Sequence, residues 1–290
     1  VYRDRTETET IDSRSNRPAT PDGNVFCGCF PTANMSDSDG LSIVDAGAVE
    51  AAAETAIEQC LAIEAGETCV VVTDDEREPI GEAIYRAALE ATEDAVIVRY
   101  PPGPQHGAEP PEPVAAALLE ADAFLAPTTK SLSHTRARSD ATDAGARGAT
   151  LPGITEEVFT VGLDADYEAI AAECAAMAER LDGAEEIRVT SPQGTDITFE
   201  LGDRPWNEDS GFVREPGSFS NLPAGEVFIS PESADGTYVV DGTIRPHGLL
   251  DDEQTVTIEV ADGFVTDISD DAVRSDIEAA AESAGQDAYN

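Results

Sequence analysis

Glu226 is the residue of this chain whose type and setting best suit it to hold a cation. It follows Asn221-Leu222-Pro223-Ala224-Gly225 and precedes Val227-Phe228-Ile229. Pro223 restricts its own φ and Gly225 accepts nearly any backbone angle, so the pair makes a tight turn. The apolar triplet predicts a short buried strand. A carboxylate at the mouth of such a strand sits beside the core, where a lone charge is costly unless a positive group answers it. A metal ion would answer it. A turn side chain that reaches out to water is the other reading of the same residues.

Three further sets could do chemistry. Ser131, His134 and Asp140 are the residue types of a hydrolytic triad, but they lie within ten residues of one another. Triads assemble from distant segments, and no G-x-S-x-G elbow is present. His134 with Arg136 and Arg138 could instead make a cationic patch for a substrate carboxylate, or an internal clamp. A helix start satisfied by its neighbours explains them equally well. Asp74-Asp75-Glu76 follow a strand at its carboxyl end, where open α/β sheets bind ligands. A solvated acidic loop is the plainer account. His106 lies in a Pro-rich loop and is expected to be exposed, and His247 follows Arg245-Pro246 about twenty residues past Glu226. No G-x-G-x-x-G or G-x-x-x-x-G-K-[ST] occurs, so neither a dinucleotide nor a nucleoside triphosphate is implied.

The elements that must position these residues fall into two patterns. From Asp45 to Leu181, apolar strands alternate with helices. The strands are Cys69–Thr73, Ala95–Val98 and Ala123–Ala126. Helical stretches run over Asp45–Ile63, from Pro79 onward, over Val114–Ala121 and over Asp166–Leu181. Strands apolar on both faces predict a parallel sheet covered on both sides. Near Asp182-Gly183 the period changes to strict alternation, as in Ile197, Phe199 and Leu201 or Val256, Ile258 and Val260. That predicts half-buried antiparallel sheet, with a hairpin at Asp262-Gly263 and a last helix over Asp271–Ala284. The expected organisation is a leader over 1–41, an α/β domain over 42–184, and a β-rich (α+β) catalytic domain over 185–290.

Composition narrows the partners. The 290 residues carry 59 acids against 17 bases, a net charge of −42. Such a surface repels nucleic acid and anionic membranes. Apolar residues make up 41% and recur periodically, which argues for a folded protein. A carboxylate coat of this kind suits concentrated salt, so a halophilic source is inferred. The five cysteines fit no zinc module and read as buried small side chains in a reducing cytoplasm. Five of the acids and four of the Arg precede Met35. That nearly balanced stretch is expected to be a leader, with Met35 the true start, or else a disordered tail. Cys27-Gly28-Cys29 would be its one reactive feature.

Several short motifs, in order, resemble the aminopeptidase T family of metalloproteases. They are Ser131-Leu132-Ser133-His134-Thr135 with Ala137-Arg138, and Gly145-Ala146-Arg147-Gly148 running into Leu151-Pro152-Gly153-Ile154. Ser191-Pro192-Gln193-Gly194-Thr195-Asp196 follows, then the Pro223–Phe228 turn, then Asp235-Gly236-Thr237 and Asp241-Gly242-Thr243-Ile244. The resemblance spans about Ser42 to Asn290. It implies a metal-dependent aminopeptidase with peptide substrates and a possible homodimer. Glu226 would be a ligand to two divalent ions, Zn, Co or Mn. The family's other ligands, including an H-x-D motif, have no counterpart here, so a truncated and inactive chain is expected. The competing expectation is an iron-dependent ring-cleaving dioxygenase of dihydroxypyridines, which has a related fold. A non-catalytic binding module is the third.

Overall fold

The computed structural model describes residues 45–244, 247–251 and 254–284. Cys27, Cys29, Met35, Arg245 and Pro246 lie outside the described residues, and so do the expectations placed on them.

The described chain divides into two compact units and crosses between them three times. Residues up to Arg180 and the return segment Asn207–Phe228 make the first. The single crossing expected near residue 184 therefore misses a segment, the one that carries Glu226.

The first unit begins with α1 (Ala46–Glu54), which runs into a π-helical stretch, Thr55–Leu61. There follow β1 (Cys69–Asp74), α2 (Glu78–Ala91), β2 (Ala95–Tyr100), α3 (Glu112–Leu119), β3 (Ala123–Thr128), α4 (Arg136–Asp143), β4 (Arg147–Pro152), α5 (Glu156–Leu163) and α6 (Tyr167–Leu181). The sheet is parallel throughout, in the order β2-β1-β3-β4-β8, with β8 (Phe219–Asn221) supplied by the return segment. Alternate residues of the strands feed two cores. Cys69, Val71, Leu125, Ala149 and Leu151 pack with Ile57, Ile84 and Phe159 on one face. Val70, Val72, Phe124 and Ala126 pack with Val114, Leu118 and Ala141 on the other. This is the doubly covered parallel sheet that the apolar runs require. The close packing leaves no slack at Gly148, where an added Cβ would sit 2.4 Å from the Phe124 ring.

The second unit is an antiparallel sheet of β5 (Glu186–Thr190), β6 (Asp196–Glu200), β10 (Ser233–Val240), β13 (Val256–Ala261) and β14 (Phe264–Ile268), in the order β14-β13-β10-β6-β5. A short pair, β11 (Thr243–Ile244) and β12 (Gly248–Leu249), accompanies it. Asp262 (φ 52°) and Gly263 (φ 81°) make the β13–β14 hairpin in the left-handed conformation that such turns need. Helix α7 (Asp271–Ala284) packs Val273 and Ile277 against Val240, Val256 and Ile268.

Candidate functional site

In a parallel sheet with one reversal of strand order, ligands bind beyond the carboxyl ends of the strands. Here that edge is formed by Asp74, Tyr100, the residues after Thr128, the end of β4, and Asn221. Two polar clusters organise it.

Asp74 is fully buried at the end of β1. Its Oδ2 accepts the Thr129 backbone N–H at 2.6 Å, and its Oδ1 accepts the Thr129 hydroxyl at 3.0 Å. The backbone N–H groups of Glu76 and Arg77 donate to Oδ1 at 3.1 and 3.2 Å. The carboxylate thus ties β1 to the loop after β3 and caps the turn into α2. It is a structural acid and not the solvated loop residue expected for it; Asp75 and Glu76 do stay exposed. Tyr100, beside it, has its phenol pushed up by burial and then by the Asp74 charge, so it stays protonated and able to donate. Arg77 Nε is buried with no hydrogen-bond partner among the described residues.

The second cluster joins three segments that are distant in sequence. Ser133 Oγ lies 2.7 Å from Thr150 Oγ1 and donates to Asn221 Oδ1 at 2.8 Å. Thr150 Oγ1 donates to the same Asn221 oxygen at 2.6 Å. Ser131 donates its hydroxyl to Ser133 at 2.9 Å. Ser133 and Thr150 are buried, whereas Asn221 is exposed. Arg138 braces the cluster from α4. Its Nε donates to the Ser133 carbonyl at 2.8 Å, and its guanidinium lies 4.5 Å from the Phe219 ring centre. The Pro-rich loop after β2 fastens to the same loop. His106 Nδ1 accepts the Ser131 backbone N–H at 3.2 Å. Glu109 accepts the first backbone N–H groups of α4, from Arg136 and Ala137, and these donors hold its carboxyl below the usual range.

The triad does not form. Ser131 gives its proton to Ser133, while His134 and Asp140 are exposed. Nor do the three cationic candidates share a patch. Arg138 is an internal brace, and Arg136 projects outward beside Glu109. His106 is exposed, as expected for its loop. His247 belongs to the antiparallel unit, where Nε2 lies 2.9 Å from an Asp276 oxygen of α7.

Glu226 departs from the inward-held carboxylate expected of it. It opens β9 (Glu226–Phe228), which among the described residues pairs only with β7 (Asn207–Asp209), in a two-stranded ribbon. A ribbon of three-residue strands buries little, so Glu226 is exposed and Phe228 is 47% exposed. Burial pushes the Cys174 thiol up, and Glu208, Asp209, Glu173 and Glu226 add to it, in that order. Among the described residues no group of three or more His, Cys, Asp or Glu is placed to hold a metal ion. Cys60, Cys69 and Cys174 are free and buried, and burial pushes the first two up to about 12.

Thr150 and Asn221 do not stand out in the sequence as site residues. Their signal was faint: Thr150 lies in Arg-Gly-Ala-Thr-Leu-Pro and Asn221 in Phe-Ser-Asn, segments too polar or too short to stand out as strands.

A family model described as NicX, 2,5-dihydroxypyridine 5,6-dioxygenase, matches residues 48–280. The chain belongs to this dioxygenase family. A 2,5-dihydroxypyridine 5,6-dioxygenase of Pseudomonas putida is 35% identical over 92 residues, which are 30% of this chain and 26% of that relative. The match therefore spans about a quarter of the relative's length. The solved structure of the dioxygenase from Pseudomonas putida KT2440 superposes with a TM-score of 0.64 at 21% identity, over 81% of this chain and 72% of that one. Wild-type AmpT from Thermus thermophilus gives 0.55 at 17%, over 80% and 74%. At such identities both likenesses show the fold alone.

These findings correct the aminopeptidase reading. AmpT shares the fold, and the family match names a dioxygenase, not a hydrolase or metalloprotease. Nothing in the match supports a halophilic source or a truncated chain. No helix among the described residues is long and apolar enough to cross a membrane.

Proposed function

We propose that this chain serves a metal-dependent, ring-cleaving dioxygenase reaction on a dihydroxypyridine. The observation that carries it is the family match over residues 48–280, which takes in both units. In a 5,6-cleavage both atoms of O2 enter the product as the bond between ring carbons 5 and 6 breaks. Ring-opening by O2 suits a redox metal such as iron in a facial His/carboxylate site. The described residues do not assemble such a set, so no step is assigned through the ion. What the chain's own residues supply is an uncharged cluster of hydroxyls and one carboxamide at the carboxyl edge of the parallel sheet, braced by Arg138, with the Asp74 clamp on the same edge. A planar ring bearing oxygens suits such an edge better than an anion would, given the net charge of −42.

The test supplies Fe(II) anaerobically, then air-saturated buffer with 2,5-dihydroxypyridine, and follows oxygen with an electrode and the ring by its absorbance. The expected result is oxygen uptake matched one-to-one by loss of the ring. A parallel assay with leucyl-p-nitroanilide and Co(II) or Zn(II) should release nothing. Anilide hydrolysis without oxygen uptake would reverse the assignment.

A further inference from the structure

The buried hydroxyls at the carboxyl edge decide which way the Asn221 carboxamide faces. Thr150 is fully buried, and among the described residues its hydroxyl oxygen is hydrogen-bonded to Ser133 and Asn221 alone. Ser133 receives the Ser131 proton. Three hydroxyl protons therefore need three acceptor sites. With Asn221 Oδ1 turned inward, every proton has one: Ser131 to Ser133, Ser133 to Asn221, and Thr150 to Asn221. With the amide reversed, Nδ2 would donate to Ser133 and Thr150. Ser133 and Thr150 could then donate only to one another or back toward Ser131, since either hydroxyl of that pair can be the donor. The two short contacts, 2.6 Å from Thr150 and 2.8 Å from Ser133, are instead both donations to Oδ1, so the oxygen faces in.

Both lone pairs of Oδ1 are then occupied, and the Nδ2 hydrogens face the exposed side, where no partner meets them among the described residues. The neighbouring cation is already spent, because Arg138 donates to the Ser133 and Thr142 oxygens and lies over Phe219. What remains is a rigidly held, neutral pair of N–H donors at the end of β8, on the edge where such sheets bind ligands. An acceptor-only, uncharged oxygen is the complementary group.

We propose that Asn221 Nδ2 binds the 2-oxygen of the dihydroxypyridine substrate in its pyridone, carbonyl form. Asn221 is thereby a specificity-determining residue. The proposal rests on the dioxygenase reading and adds to it which substrate atom is recognised, and by what.

The test compares two ligands under nitrogen, so that no turnover intervenes: 2,5-dihydroxypyridine and 3-hydroxypyridine, which lacks the 2-oxygen. Asn221→Asp keeps an inward oxygen for the two hydroxyls and replaces the outward donor by an acceptor. The expected result is about a tenfold loss of affinity for 2,5-dihydroxypyridine, the scale of one hydrogen bond, with 3-hydroxypyridine binding unchanged. In the parent chain the assigned Asn221 Nδ2 proton resonances should move on adding the first ligand and stay with the second. That measurement decides the matter if the variant fails to fold. Equal effects on both ligands, or no effect on either, would overturn the assignment of Asn221 and leave the dioxygenase reading standing. Failure of the parent chain to bind 2,5-dihydroxypyridine would overturn both.

Discussion

The two ends of the parallel sheet are closed by different chemistry. At the amino end, Arg147 opens β4 and is almost fully used. Its guanidinium holds both Glu67 oxygens at 2.7 and 2.6 Å and reaches the Leu61 and Ala62 carbonyls at 3.0 and 3.3 Å. Asp122 accepts the Thr68 backbone N–H, and Thr92 donates to the Glu67 carbonyl. Charges pair and carbonyls are capped. At the carboxyl end, the clustered groups beyond Asp74 are hydroxyls and one carboxamide, and donors are left over: Asn221 Nδ2 at the surface and Arg77 Nε beneath it. An end where every group is answered holds the fold together. An end with unanswered donors has capacity for a ligand. The same strands serve both, which is why the site can be rigid without being saturated.

The largest effect should come from breaking the saturated end. Arg147→Met removes five donors, leaves a half-buried Glu67 without its partner and uncaps two carbonyls. A loss of about 3 kcal/mol is expected in urea denaturation at pH 7. Binding of 2,5-dihydroxypyridine by the remaining folded protein should not change. The pH dependence sharpens this. The Arg147 hydrogen bond holds the Glu67 carboxyl below its usual range. A lowered folded value gives stability that is present above the unfolded value of about 4.3 and is lost as pH falls through the folded one. The gap between parent and variant should therefore narrow on acidification below about pH 4. A constant gap would mean that the ion pair is not its source.

Substitutions at the carboxyl end should cost less in stability and more in binding. Asn221→Ala removes the acceptor that the Ser133 and Thr150 hydroxyls share and leaves them to donate to one another, for a loss of about 1–2 kcal/mol. Thr150→Val removes one donor and leaves Asn221 Oδ1 still engaged by Ser133, for a loss of about 1 kcal/mol. Affinity for the ring should fall about tenfold with the first and only two- to threefold with the second, because only the first removes Nδ2, whereas the second takes away one of the two bonds that hold it. If Thr150→Val weakened binding as much as Asn221→Ala, the cluster would be acting through its shape and not through the outward donor.

How much of this was legible in the sequence differs between the two ends. The helix and strand periods gave the doubly covered sheet, because apolar alternation is a local property of each segment. Thr150 escaped notice because β4 reads Arg-Gly-Ala-Thr-Leu-Pro, too small and polar to announce a strand. Its Gly148 and Ala149 fit beneath Phe124 and the facing core, a constraint written in the neighbours and not in β4. Asn221 was hidden for a second reason: β8 is three residues long and returns from a segment that follows the antiparallel β5 and β6. Strand pairing across more than 70 residues leaves no periodic trace. Glu226 shows the converse. Val-Phe-Ile reads as core, but a ribbon with one partner strand leaves Phe228 exposed and Val227 and Ile229 only half-buried.

The smallest difference separates two arginines that the sequence presents as equals. Arg136 and Arg138 stand on the same helix, two residues apart, and so point to different sides of it. Arg136 has a side chain 86% exposed beside Glu109. Arg138 carries the loop that holds Ser133 and stacks on Phe219. Arg136→Lys should change stability by less than about 0.5 kcal/mol, because exposed pairs contribute little. Arg138→Lys keeps the charge but loses the planar fork and the stack, for about 1 kcal/mol. Its second consequence separates bracing from mere stability. With Ser133 less firmly placed, the Asn221 carboxamide loses one of its two fixed points. Affinity for 2,5-dihydroxypyridine should then drop two- to threefold, about 0.5 kcal/mol, while Arg136→Lys leaves it alone. Equal binding by the two variants would show that the donor at Asn221 is held by Thr150 without help from α4.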